Sequence, residues 1–131
     1  MKLTPLRSIV YTAITVSLLI SAMFDIHTVS GSSMSPSLKE NETVIVFRWA
    51  FGLQPPFIHR YIVQWSNVQV GDVLILREPE NHTRVLKRCA GIDVEGGRCY
   101  VLGDNFDNSR DSRHYGYIEL SMIEGKVVPA P

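Results

Sequence analysis

Three segments of the chain concentrate side chains that can do chemistry. The first is a serine-rich stretch, residues 30–37, with the sequence SGSSMSPS. The second contains Lys87 in the run VLKRCA, and the third is the polar run 103–113. A serine hydroxyl is a weak nucleophile that needs a nearby base. These residue types suggest nucleophilic catalysis, although a serine-rich stretch with Gly and Pro is also typical of a linker.

Lys87 is the lysine whose neighbours predict burial. Side chains alternate between the two faces of a strand, so Lys87 would share a face with Val85 and Cys89. Burial between apolar neighbours disfavours the charged ammonium and lowers its pKa, which allows a lysine to act as a base. The other lysines lie in the N-terminal flank, in a charged turn and near the C-terminus: Lys2, Lys39 and Lys126.

The polar run 103–113 suggests two other kinds of site. Its acidic side chains suggest a calcium loop, but the run lacks the terminal bidentate glutamate and carries two arginines. His114 near Asp111 suggests a Ser-His-Asp site, but the neighbouring residues give no reason to prefer it. No metal or nucleotide motif is visible, so we expect no metal and no cofactor.

An apolar segment near the N-terminus predicts a membrane anchor. Residues 8–24 carry no charge, are preceded by Lys2 and Arg7, and are followed by Asp25. As a helix this segment spans roughly 26 Å, slightly less than a hydrocarbon core of about 30 Å. The positive flank predicts a cytoplasmic N-terminus and an extracytoplasmic remainder. A cleaved signal peptide is the alternative, but no A-x-A pattern follows the run.

The remainder of the chain predicts a mainly β domain of short antiparallel strands. Short runs rich in β-branched residues recur between turn residues such as Gly71-Asp72 and Gly96-Gly97. These runs are 43–47, 73–76, 84–90, 98–102 and 126–128. We find no helical periodicity after the anchor. The expected organisation is therefore an anchor in residues 1–25 and a β domain in residues 26–131.

The composition narrows the classes of function. The 131 residues include 13 Lys+Arg and 13 Asp+Glu. A balance without a basic block argues against binding of nucleic acid. Cys89 and Cys99 fit no four-ligand zinc pattern; they form either one disulfide or two small buried thiols. The aromatic-rich segment 49–65 either folds onto the core or rests at the bilayer interface.

The order and spacing of these segments resemble the sequence boxes of type I signal peptidases, membrane-bound serine proteases with a Ser-Lys dyad. Residues 31–38 resemble the nucleophile box, in which the serine before the Met attacks, and this selects Ser33. Residues 86–88 match the general-base box, and 71–73 match the strand box between the two. Residues 103–116 match the most diagnostic box almost position for position.

The resemblance implies a role for each residue of the site. Ser33 would be the nucleophile and Lys87 the general base. The backbone around Gly31 and Ser32 would stabilise the oxyanion, and Ser109 would orient the lysine amine. Structural support is implied for Arg88, Asp104, Asn105, Asp111 and Arg113. Within that set, Asp111 would pair with either Arg113 or Arg88.

The resemblance also implies a substrate and a location. The expected function is removal of signal peptides from translocated preproteins, with small residues at −1 and −3. The expected location is the bacterial inner (plasma) membrane, crossed once, with the lipid bilayer and the preproteins as partners. An association with the secretion translocon is also consistent with this function. The alternatives are a pilin-processing or organelle inner-membrane peptidase of the same dyad class, or an inactive membrane-anchored binding module.

Three features depart from the family pattern. Gly31 stands where many Gram-negative members carry a serine that helps to hold the oxyanion. Cys89-Ala90-Gly91 follows the general-base box in place of the usual Val/Ile pair. The domain is also small, so we expect no large accessory domain between residues 91 and 103.

Overall fold

The computed structural model describes residues 5–55, 57–58 and 60–129. Lys2, which carries part of the predicted positive flank, lies outside the described residues. Pro56 and His59 of the aromatic-rich segment also lie outside them.

The apolar segment forms one long helix, α1 (Pro5–Met23). Pro5 occupies the first turn, where a missing N–H costs no hydrogen bond. The helix has a mean hydropathy of 1.6 and is long enough to cross a membrane. None of its residues is buried against the rest of the protein. The helix ends one residue before the end of the uncharged run, and the chain passes directly into the first strand.

The rest of the chain is built mainly from short antiparallel strands, as predicted. The strands are β1 (Phe24–Thr28), β2 (Thr43–Phe47), β3 (Gly52–Leu53), β4 (Val63–Gln64), β5 (Val73–Arg77), β6 (Arg84–Asp93), β7 (Arg98–Leu102), β8 (Ile118–Glu119) and β9 (Ile123–Val128). Seven of them form one sheet in the order β1-β2-β9-β5-β6-β7-β8, and β3 pairs with β4 in a separate hairpin. A short helix, α2 (Ser112–Tyr115), lies between β7 and β8.

The predicted runs correspond to β2, β5, β6, β7 and β9, whereas β1 was not expected. The sequence of β1 alternates the apolar Phe24 and Ile26 with the polar Asp25 and His27. Because this short pattern directly follows the apolar segment, it was not predicted as a strand. Its full length pairs with β2, from Phe24 opposite Phe47 to Thr28 opposite Thr43. The helix α1 is therefore continuous with an edge strand of the sheet.

Two apolar clusters form on opposite faces of the central strands. Along β6, Leu86 belongs to the first cluster, while Cys89 belongs to the second and Val85 packs against it. This is the alternation expected of a strand. The first cluster contains Val29, Met34, Leu38, Val44, Val46, Val73, Ile75, Leu86 and Val127. The second contains Phe51, Val68, Leu74, Leu76, Cys89, Cys99, Val101, Ile118 and Ile123.

The aromatic-rich segment 49–65 contributes to the core and to the surface. Phe51 is buried in the second cluster, and Tyr61 packs against that cluster and donates a hydrogen bond to the carbonyl of Ile123 at 2.9 Å. In contrast, Phe57 is 92% exposed, and Trp65 is also exposed. Packing onto the core thus accounts for part of this segment, and contact of its exposed side chains with a bilayer stays a prediction.

Candidate active site

Lys87 is buried in the middle of β6, with only 3% of its surface exposed. Burial lowers the pKa of its amine below the ordinary value of 10.5, and the positive charge of Arg113 lowers it further. The carboxylates of Asp111 and Glu78 act in the opposite direction and raise it. Glu78 is itself buried, and nothing in its turn-like sequence context indicated a role near the lysine. The environment as a whole favours the neutral amine.

The register of β6 and β7, continued by one residue past the end of β7, brings Lys87 opposite Gly103. The register pairs Cys89 with Val101 and Arg88 with Leu102, so the next position brings Lys87 to the level of Gly103. Directly opposite residues of an antiparallel pair project their side chains on the same face. The Lys87 side chain therefore leaves the sheet on the side toward which a Gly103 side chain would point.

That side of Gly103 is occupied by Ser33 and Ser109. A Cβ atom at position 103 would lie 2.6 Å from the carbonyl oxygen of Ser33 and closer still to the Ser109 side chain. Glycine is required here because neighbouring atoms fill the space of a side chain. The serine loop and Ser109 thus meet next to the strand position that faces Lys87.

Asn105 attaches the serine loop to the end of β7. Its backbone N–H donates to the Ser33 carbonyl at 2.9 Å, and its side-chain amide donates to the Ser32 carbonyl at 3.1 Å. Ser33 is half-buried, and its own N–H donates to no group in the described part of the chain. Gly31 has a φ of +77°, a left-handed conformation that glycine adopts without strain. Ser33 is therefore fixed in position, and its own N–H is available as a hydrogen-bond donor.

A small cavity of about 30 Å³ opens beside Ser33. Val85 and Leu86, the residues that precede Lys87, line it together with Ser33. The remaining lining residues are His27, Val29, Ser30, Met34 and Arg84. The nucleophile candidate and the strand that carries Lys87 consequently share one cavity.

Asp111 organises the loop that follows β7. It is fully buried, accepts a hydrogen bond from the Gly103 N–H at 2.9 Å, and pairs with Arg113 at 2.9 Å. Of the two partners that the sequence leaves open, the structure shows Arg113. Burial acts to raise the pKa of Asp111, but the bonds from Arg113 and Gly103 outweigh it and hold the pKa well below its usual range. The carboxylate also caps α2.

Ser109 and Ser112 differ in their hydrogen bonding. The Ser109 hydroxyl is buried and has no hydrogen-bond partner among the described residues, so the implied bond to the Lys87 amine is not formed in this structure. Ser112 was part of the matched box but was given no role by the sequence. Its hydroxyl accepts from the Val101 N–H at 2.9 Å and ties α2 to β7.

Arg88 and Asp104 form a second support at the same end of the sheet. The Arg88 guanidinium donates to both carboxylate oxygens of Asp104, at 2.9 and 2.7 Å, and to the Gly71 carbonyl at 2.9 Å. The hydrogen bond from Arg88 lowers the pKa of Asp104. This bidentate pair joins β6 to the loop that contains Asn105. Through its bond to Gly71, Arg88 also contacts the turn before β5.

Cys89 and Cys99 lie side by side in the second cluster. Both are buried and unbridged, and their sulfur atoms are 3.1 Å apart. The structure therefore agrees with the prediction of two buried thiols.

The fold and the site define a class of protein: an apolar N-terminal helix joined to an antiparallel β domain, in which a glycine packed on a serine loop lies at the level of a buried lysine on the neighbouring strand. A family model described as "Signal peptidase, peptidase S26" matches residues 3–96 and 92–130 of this chain. The chain belongs to this family of peptidases.

Relatives at moderate identity agree with this assignment. The mitochondrial ATP-independent inner membrane protease subunit 1a of Arabidopsis thaliana is 31% identical over 121 aligned positions, covering 76% of this chain and 66% of the relative. The mitochondrial inner membrane protease subunit 1 of Mus musculus is 26% identical, with coverages of 75% and 63%. Signal peptidase I of Buchnera aphidicola is 24% identical, with coverages of 66% and 28%. The chain spans just under two thirds of the length of the two mitochondrial relatives.

Proposed function

We propose that this protein is a membrane-bound serine endopeptidase that removes N-terminal signal peptides from translocated preproteins, with Ser33 as nucleophile and Lys87 as general base. The observation that carries the proposal is the position of Lys87. Its buried amine lies on the face of the sheet where Gly103 is packed against the Ser33 carbonyl. A desolvated lysine beside a serine loop is the arrangement that a Ser-Lys dyad requires.

The dyad acts in two stages. The neutral Lys87 amine accepts the Ser33 proton while the Ser33 oxygen attacks the scissile carbonyl carbon. When the tetrahedral intermediate collapses, the C–N bond breaks and Lys87 delivers its proton to the leaving amine. The same amine then takes a proton from the water that attacks the acyl-enzyme. It returns this proton to the Ser33 oxygen as the ester bond breaks and the new C-terminus is released.

The backbone around Ser33 supplies the oxyanion site in this proposal. The Ser33 N–H donates to no described group and is free to bind a developing negative charge. Since glycine at position 31 has no hydroxyl to offer, backbone donors carry this role. Ser109, whose buried hydroxyl is not bonded to Lys87 in this structure, orients the Lys87 amine once substrate excludes water from the site.

The small cavity beside Ser33 supports a preference for small substrate side chains. Its volume of about 30 Å³ is close to the volume that one water molecule occupies in the liquid, about 30 Å³. An alanine methyl group fits such a space, whereas a leucine or phenylalanine side chain does not. We propose small residues at −1 and −3 on this basis and from the family resemblance.

The helix α1 is the proposed anchor, with the N-terminus cytoplasmic and the β domain outside the bacterial plasma membrane. Several relatives are named as mitochondrial inner membrane proteases, which favours an organelle inner-membrane peptidase as the second candidate. Both candidates use the same dyad and the same anchor. They differ in the precursor that is cleaved.

Cleavage of a preprotein by the full-length protein in detergent micelles tests the proposal. We expect a new N-terminus at the signal-peptide junction, identified by sequencing. Ser33→Ala and Lys87→Ala should each lower the rate by about 10⁴-fold or more, as expected for loss of one member of a catalytic unit. Full activity in either variant, with the fold intact, would rule out the dyad.

Two matched variants and a second substrate complete the experiment. Ser35→Ala removes a hydroxyl from the same loop, and Lys39→Ala removes an exposed lysine, so both should retain activity. A bacterial secretory preprotein and a precursor with a mitochondrial inner-membrane sorting signal are compared side by side. Preference for the second precursor would establish the organelle function and exclude the bacterial one.

A further inference from the structure

A cavity lined by three arginines lies where α1 joins the sheet. Its volume is about 170 Å³, and its charged lining consists of Arg48, Arg77, Arg84, Asp25 and Glu124. Asp25 is the second residue after α1, and the backbone N–H of Arg48 donates to the carbonyl of Met23, the last helical residue, at 2.8 Å. The cavity is therefore located at the level where the apolar helix ends.

The acidic residues of this cavity are paired with Arg84 and Arg77, whereas the charge of Arg48 acts on Asp25 without a direct ion pair. Arg84 pairs with Asp25 and with Glu124, each at 2.7 Å, and Arg77 pairs with Glu124 at 2.6 Å. The Arg48 side chain makes no hydrogen bond or ion pair with any described residue. Three guanidinium groups and two carboxylates leave the lining with one excess positive charge.

Apolar side chains border the same cavity. Pro55 and Ile58 are part of its lining. Their neighbour Phe57 is 92% exposed, and Ile62 and Trp65 of the same segment are also exposed. Apolar and aromatic side chains of this kind are favoured at the interface between hydrocarbon and headgroups. An anionic group bound in this cavity would therefore lie next to apolar side chains of the protein.

We propose that this cavity binds the phosphate group of an anionic phospholipid from the bilayer that α1 crosses. The inference rests on the proposed function only for the position of α1 in a membrane. Guanidinium groups bind phosphate through paired, charge-assisted hydrogen bonds. A phosphate group has five heavy atoms, and the cavity of about 170 Å³ has room for it, because it holds roughly six water-sized groups at about 30 Å³ each. The excess charge at Arg48 matches the single negative charge of a phosphodiester.

Tryptophan fluorescence of the full chain in neutral-detergent micelles tests this proposal. Trp49 follows Arg48 directly, and the Trp65 indole donates to the Trp49 carbonyl at 3.1 Å, so both report on this region. Short-chain phosphatidylglycerol should give a saturable change, and phosphatidylcholine of the same chain length should bind more weakly. Arg48→Gln should weaken binding of phosphatidylglycerol by about tenfold, as expected when one charge-assisted hydrogen bond is lost.

Arg60→Gln is the matched control, because Arg60 is an exposed arginine of the same segment that does not line the cavity. Arg84 also lines the cavity beside Ser33, which makes it unsuitable for the test. An equal loss of binding in Arg60→Gln and Arg48→Gln would indicate diffuse surface attraction and overturn the proposal. So would an equal response to the two lipids.

A titration with inorganic phosphate completes the binding experiment. Binding of inorganic phosphate as tightly as phosphatidylglycerol would show a site for free anions and overturn the lipid assignment. The Ser33→Ala variant should bind the lipid like the unmodified protein. Loss of the peptidase proposal therefore leaves the lipid result standing, and a failed lipid titration leaves the cleavage result standing.

Discussion

Asn105 fixes the peptide unit whose N–H belongs to Ser33. Its side-chain amide donates to the Ser32 carbonyl at 3.1 Å, and that carbonyl and the Ser33 N–H are parts of one planar peptide group. Holding the oxygen on one side fixes the direction of the N–H on the other. The backbone N–H of Asn105 adds a bond to the Ser33 carbonyl at 2.9 Å. In the proposed mechanism, Asn105 thus positions an oxyanion donor without contacting the substrate.

Asn105→Ala should lower kcat by about tenfold while KM changes little. The variant loses the side-chain bond to Ser32, and an oxyanion donor contributes mainly in the transition state. Steady-state cleavage of a preprotein peptide measures both constants. Asn108→Ala removes an exposed amide from the same loop and should leave both unchanged. A rise in KM at constant kcat would contradict the positioning role.

If Lys87 is the general base, kcat/KM should rise with pH on the acid side of the pH profile. Only the neutral Lys87 amine accepts a proton, so kcat/KM should fall as pH drops through the pKa of that amine. Glu78 raises this pKa because its carboxylate favours the ammonium. Removal of the charge in Glu78→Gln should therefore move the rising limb to lower pH.

Glu80→Gln is the control for the profile. Glu80 is exposed, pairs with Arg110 and is not among the groups that shift the pKa of Lys87. The rising limb of the Glu80→Gln pH profile should coincide with that of the unmodified protein. A limb that moves to higher pH in Glu78→Gln, or a rate independent of pH on the acid side, would argue against Lys87 as the base.

Gly103→Ala should destabilise the fold by about 1–3 kcal/mol, which is the usual cost of overpacking. The added methyl group would meet the Ser33 carbonyl oxygen at 2.6 Å and the Ser109 side chain. Urea unfolding measures the change. Gly91→Ala is the comparison, because its Cβ would lie 3.6 Å from the Tyr100 Cβ in ordinary contact. Equal stability of the two variants would show that the serine loop is not packed tightly on Gly103.

Oxidation should join Cys89 and Cys99 without unfolding the protein. Their sulfur atoms are 3.1 Å apart on paired strands, so a disulfide requires only a small further approach. With diamide as oxidant, the two thiols lose two hydrogens, which the diazene takes up. Intact mass should drop by two hydrogens, and Cys99→Ser should show no such change. Two thiols that stay reactive after treatment and denaturation would contradict this.

Local pattern was enough to predict the central strands and the burial of Lys87. β-branched runs between glycine turns marked β2, β5, β6, β7 and β9, and the alternation around Lys87 gave its face. β1 was missed because an apolar anchor precedes it without a turn. The two-residue strands β3, β4 and β8 are too short to produce a periodic signal.

The geometry of the site depends on contacts between distant parts of the chain. Residue types alone did not distinguish Ser33 from its neighbouring serines, and only the family resemblance selected it. The bond between Asn105 and Ser32 joins residues 73 positions apart, and no local pattern encodes it. The arginine cavity draws Arg48, Arg77 and Arg84 from around three different strands, so it exists only once the sheet has formed.

In the proposed function, the direct passage from α1 into β1 sets the height of the reaction above the bilayer. Because Phe24 is already paired with Phe47, the domain has no slack with which to swing away from the helix. If α1 is embedded in the membrane, β1 and the short segment that follows it fix the distance between the lipid and the Ser33 hydroxyl. In the proposed function, peptide bonds at other depths would stay uncut, so selectivity would arise from distance as well as from side-chain fit.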